Sequence, residues 1–207
     1  MKSAFTTVAL AAGLANVQAV QPNLEFTTDV KPVADVDQMC FTVFTFNGLS
    51  GFYYTFSGPW GSSTGHAGTS GSMCVPTNNT AGGAAYLGSE SNAGPGSTKL
   101  ECFFPTTREA NCDISLVEGY SLSAGCVANN TEQIIGGYQN LNGNGIPCPD
   151  KQGPNCINTE GYAPSQSDVG PFFQQGIKNE NNYCIWDDCT QDYYFPTGDE
   201  ITCIIGP

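Results

Sequence analysis

Glu101, Asp113 and Glu118 are the acids that their neighbours single out. They lie in Lys99-Leu100-Glu101-Cys102-Phe103 and in Asn111-Cys112-Asp113-Ile114-Ser115-Leu116-Val117-Glu118-Gly119-Tyr120-Ser121-Leu122, two apolar, strand-prone runs. Converging carboxylates bind sugar hydroxyls, and a pair about 5–9.5 Å apart can act as general acid and base on a glycosidic bond. Alternation sets a condition. In a regular strand Asp113, Ser115 and Val117 face one way and Ile114, Leu116 and Glu118 the other. Only a bulge or bend at Val117-Glu118-Gly119 brings both acids to one side. Without it they are ordinary surface acids. The cations nearest in sequence are Lys99 and Arg108.

Other chemistry finds less support. His66 is the sole histidine and stands in a Ser/Gly stretch, where it reads as a solvated loop residue, and no spacing points to a triad partner for it. Asn140-Leu141-Asn142-Gly143-Asn144-Gly145 has the spacing of a calcium loop, but asparagines replace every carboxylate and Lys151 stands where the bidentate Glu belongs. It reads as a turn. There is no C-x-x-C pair for zinc. The sequence therefore predicts no metal and no cofactor.

The run from Asn111 to Leu122 resembles the D-x-S-x-V-[DE]-G-[FY]-N-[LV] strand of the thaumatin-like (osmotin-like) family. Leu100-Glu101-Cys102-Phe103 is similar to that family's L-x-E-F stretch. The resemblance implies a β-core with a disulfide-rich loop region. It also implies an acidic cleft between them, to which Glu101, Asp113 and Glu118 contribute, and β-1,3-glucan as the ligand or the substrate of weak endo-glucanase activity.

The N-terminus has the pattern of a secretory signal peptide. Lys2 precedes a short apolar stretch, Ala4 to Leu14, and Val17-Gln18-Ala19 fits a cleavage site, so residues 1–19 are expected to be removed and 20–207 to form one domain. All ten cysteines follow that site: Cys40, Cys74, Cys102, Cys112, Cys126, Cys148, Cys156, Cys184, Cys189 and Cys203. An even count in an exported chain predicts five disulfides, with the pairing left open. Asn78-Asn79-Thr80 and Asn129-Asn130-Thr131 are sequons, making Asn78 and Asn129 candidate glycosylation sites.

Strand-like runs span Cys40–Phe46, Gly51–Phe56, Ala84–Gly88, Thr98–Phe104, Cys112–Ser121, Tyr183–Asp187 and Glu200–Ile205. Asn47-Gly48 suggests that the first two are neighbours in a hairpin. Gly58 to Ser72 reads as loop, Val169–Ile177 as a short helix, and Asn140 to Pro164 as a long loop pinned by Cys148 and Cys156. Short strands between Gly/Pro/Asn-rich loops predict an all-β, disulfide-rich sandwich or barrel. The aromatic block from Phe41 to Trp60 is expected to be mostly core.

Six Lys plus Arg against 19 Asp plus Glu give a net charge of −13, which excludes a nucleic-acid partner and disfavours anionic membranes. No apolar run is long enough to span a bilayer. These features predict a monomeric, secreted, cysteine-rich glycoprotein that works by surface recognition without catalysis, like fungal effectors and elicitors. The expected partner is a basic extracellular protein of a host or competitor. The alternative is the glucan binder or weak glucanase of the resemblance.

Overall fold

The computed structural model describes residues 38–58, 61–76, 82–91, 93–106, 109–177, 183–187, 193–196 and 200–207. The expected signal peptide, Asn78 and Cys189 lie outside them. Among the described residues the strands are β1 (Gln38–Thr45), β2 (Phe52–Gly58), β3 (Gly61–Ala67), β4 (Ser70–Pro76), β5 (Gly83–Gly88), β6 (Thr98–Thr106), β7 (Glu109–Ser115), β8 (Gly119–Tyr120), β9 (Ser123–Ala128), β10 (Gln133–Ile135), β11 (Lys151–Gln152), β12 (Asn155–Ile157), β13 (Tyr193–Pro196) and β14 (Glu200–Gly206). They form a five-stranded sheet, β10-β9-β14-β1-β4, a six-stranded sheet, β13-β7-β6-β5-β2-β3, and a small sheet, β11-β12-β8. The fold is all-β and disulfide-rich, as the sequence predicts.

One buried cluster joins the two large sheets. Met39, Phe41 and Val43 of β1 enter it from one side, and Phe52, Tyr54 and Phe56 of β2 from the other. This corrects the expected hairpin. Both strands carry bulky residues at every second position, and both need a core on that face. They meet across the sandwich, while β1 pairs with β4 and, in parallel, with β14. Asn47 and Gly48 do form a turn with positive φ (53° and 84°), but it carries the chain from one sheet to the other.

The expected loop from Gly58 to Ser72 is also corrected, because it contains β3 and the start of β4. Both are edge strands. β3 buries little and is fixed by its register with β2, Phe52 opposite Ala67 through Gly58 opposite Gly61, so its sequence carries no apolar alternation. Tyr183–Asp187 makes a single bridge, Ser115 to Cys184, and no named strand. The short helix is a turn of α-helix, Pro171–Gln174, continued as 3-10 helix over Gln175–Ile177.

Cys40–Cys74, Cys102–Cys112 and Cys126–Cys203 each join directly opposite residues of antiparallel neighbours. Cys148–Cys156 pins the loop after β10. Cys184 is also disulfide-bonded. This framework fits an oxidising, extracellular compartment. No helix among the described residues is long and apolar enough to cross a membrane. Asn129 is exposed in the turn after β9, a position open to modification.

Candidate functional site

β6 is buried on one side and useful on the other. Leu100 and Cys102 point into the core, while Lys99, Glu101 and Phe103 point out. On β7, Ile114 and Cys112 point inward and Ser115, Asp113 and Asn111 outward. The antiparallel register sets Lys99 opposite Ser115, Glu101 opposite Asp113 and Phe103 opposite Asn111. The outward residues form one polar wall, extended by Tyr86 of β5 and Ser57 of β2. Tyr162, Cys184, Trp186 and Asp187 face it from the loop region, closing a cleft of about 490 Å³. That size lies within the usual range of ligand sites, about 300–1,000 Å³.

Glu118 joins the cluster through a break in the strand. β7 stops at Ser115, and the chain bends at Val117 and Glu118 before β8. Asn158 holds this bend. Its side-chain nitrogen donates to Leu116 O (3.0 Å) and Ile185 O (2.9 Å), and its backbone N–H donates to Glu118 O (3.1 Å). Gly119 allows the close approach that follows, since a Cβ there would collide with the carbonyl oxygens of Gly96 and Cys156. The expected ten-residue strand is therefore two strands with a bend, the geometry required for Asp113 and Glu118 to share a side.

Lys99 is the centre of the cluster. Its Nζ lies 2.9 Å from Glu101 Oε2 and 4.0 Å from Glu118 Oε1, and 5.7 Å from the centre of the Tyr86 ring. The residue is only 9% exposed. Burial by itself lowers the Lys99 pKa, but Glu101, Glu118 and Tyr86 outweigh it and the net shift is upward. The Tyr86 hydroxyl is pushed up by burial, against Lys99 and with help from Glu118. Tyr162 Oη donates to Glu118 Oε1 at 3.5 Å. Burial and then Glu118 push its pKa up. Trp186 is fixed by its Nε1–H donating to Ala163 O at 2.6 Å.

The three acids singled out in the sequence thus come together, Glu101 and Asp113 within the cleft and Glu118 across Lys99. Of the two cations nearest in sequence, Lys99 lies among the carboxylates, and Arg108 is outside the described residues. Alternation outward from Glu101 and Asp113 would have found Lys99, Phe103, Asn111 and Ser115. Tyr162, Trp186 and Asp187 arrive from distant loops and carry no local signal.

The remaining candidates lie elsewhere. His66 is exposed on the edge strand β3 and packs on the Tyr53 ring, with centroids 4.6 Å apart. Asn140 caps a short 3-10 turn by accepting from Gly143 N–H (3.2 Å), and Gly145 ends it with φ 74°. No group of three or more His, Cys, Asp or Glu side chains among the described residues is arranged to hold a metal. Of the aromatic block, Phe41, Phe52, Tyr54 and Phe56 are core, whereas Phe44 and Phe46 are exposed.

No protein-family model matches the chain, and no curated protein matches it.

Proposed function

We propose that this is a secreted protein that binds an extracellular polysaccharide in the cleft between β6–β7 and the loop region. The observation that carries this reading is the pairing of two unlike walls. One presents Glu101, Asp113, Asn111 and Ser115 in register; the other presents Tyr162 and Trp186. Sugar rings need both, hydrogen-bonding groups for their hydroxyls and aromatic faces for their C–H surfaces. The resemblance around residues 111–122 supports a β-1,3-glucan as one such ligand. The reading is of binding without turnover. Glu101 and Asp113 stand on adjacent strands of the same wall and so present their oxygens to one face of a sugar, while Asp187, on the facing wall, lies at the exposed rim.

A pull-down with insoluble β-glucan, paired with a reducing-sugar assay on the soluble polymer, tests this. Retention without release of reducing ends is expected, and Trp186→Ala, which removes part of the aromatic wall, should abolish retention. Release of reducing ends that Asp113→Asn abolishes would make the protein a glucanase instead. A second reading, an effector or elicitor recognising a basic host protein, is favoured by the net charge of −13. That interaction should survive loss of the aromatic wall by Trp186→Ala.

A further inference from the structure

Among the described residues four carboxylates, those of Glu101, Asp113, Glu118 and Asp187, line or border the cleft. One ammonium of the described residues, that of Lys99, stands among them and is already engaged by Glu101 and Glu118. These residues therefore meet a ligand with an excess of negative charge. A neutral sugar gives such carboxylates hydroxyl partners but leaves their charge uncompensated as water departs.

The polar groups of the sheet wall point the same way. Ser115 is 2% exposed, lines the cleft and has no hydrogen-bond partner for its Oγ. Asn111 Oδ1, an acceptor only, is buried on the same wall and also has no partner. An ammonium group has three donors and no acceptor. It complements a wall of carboxylate, amide and hydroxyl oxygens better than a hydroxyl does, through shorter, charge-assisted bonds. Across the cleft, the exposed Tyr162 ring (64%) and Trp186 offer faces that attract both sugar C–H groups and cations.

Resting on the carbohydrate reading of this cleft, we infer that its preferred ligand is a polysaccharide whose rings carry free amino groups, a glucosamine polymer rather than a neutral glucan. The ammonium groups lie against Asp113, Glu101 and the oxygens of Asn111 and Ser115, and the rings pack on Tyr162 and Trp186.

Calorimetric titration of the mature chain tests this with three oligosaccharides of equal length: β-1,4-glucosamine, its fully N-acetylated counterpart and a neutral β-1,3-glucan. Mildly acidic buffer keeps the amines protonated. The glucosamine oligomer should bind at least about tenfold more tightly than either of the others at low salt, and the margin should shrink as salt rises. Asp187→Asn, at the exposed rim, and Asp113→Asn should each narrow that margin without lowering the melting temperature. Equal binding of all three sugars would overturn the amine preference and leave the carbohydrate reading standing. Binding of none would overturn both. An oligolysine of matched charge that binds as tightly as the glucosamine oligomer would also overturn the inference, by showing capture of any polycation.

Discussion

Lys99 and Glu101, two residues apart on one strand, join their side chains at 2.9 Å on the outer face of a sheet whose inner face is core. Period-two alternation puts them on the same side, and the loop region covers them until Lys99 is nearly inaccessible. A lysine so buried would be costly alone. Here it offsets the negative charge of a cluster that would otherwise repel itself, and so keeps Glu101 and Glu118 together.

Lys99→Met should therefore destabilise the fold by about 1–2 kcal/mol at neutral pH, a modest figure because Glu101 is partly exposed. Adding Glu101→Gln and Glu118→Gln to Lys99→Met should recover most of that cost, because the charges left facing one another are then gone. Urea unfolding of both variants checks this, and an unchanged cost would assign the loss to packing.

Alkaline pH should unfold the protein through groups whose protons the fold retains. Burial holds the hydroxyls of Tyr183 and Tyr120 above the ordinary 10.0, and its acidic neighbours hold Lys99 above 10.5. Tyr183 is bonded on all sides, accepting from Gln139 N–H (2.7 Å) and Ala124 N–H (3.2 Å) and donating to Gln139 O (3.0 Å). Folded pKa values above unfolded ones mean a contribution that is complete below about pH 10 and is lost as pH rises further. Urea midpoints should be flat through neutral pH and fall above about pH 10. A midpoint independent of pH there would contradict the assignment.

Asn158→Ala should remove three side-chain hydrogen bonds, leaving the carbonyls of Leu116 and Ile185 without that donor and Glu160 N–H without that acceptor. A loss of about 2–3 kcal/mol is expected. Glu118 should lose its fixed place as well, so ligand affinity should drop even at temperatures where the variant stays folded. Hydrogen exchange confined to residues 116–119 and 158–163 would locate the effect.

Disulfide deletions should rank by the loop each closes. Cys126–Cys203 spans 77 residues and Cys148–Cys156 spans 8. Chain entropy gives about 4–5 kcal/mol for the first and about 2–3 for the second. Paired Cys→Ala variants, compared by thermal unfolding, should keep that order; the reverse order would show that local packing outweighs chain restriction.

Composition and pattern determined much of this protein. An even set of cysteines and short β-prone runs separated by Gly, Pro and Asn dictate a disulfide-rich all-β chain, because such runs bury one face and the bridges restrict the unfolded state. The neighbours of Glu101, Asp113 and Glu118 marked the acids that the fold gathers. Tertiary structure decided the rest. Edge strands such as β3 carry no apolar code, since one of their flanks has nothing to pair with and they bury little. Whether β1 pairs with β2 or faces it across the core depends on which distant strands claim its edges, and β4 and β14 do so. The bend that turns Glu118 toward Lys99 rests on Asn158, forty residues further along the chain. The aromatic wall rests on loops whose positions no local sequence encodes. Those features arise from contacts between residues far apart in the chain, which local propensity cannot express.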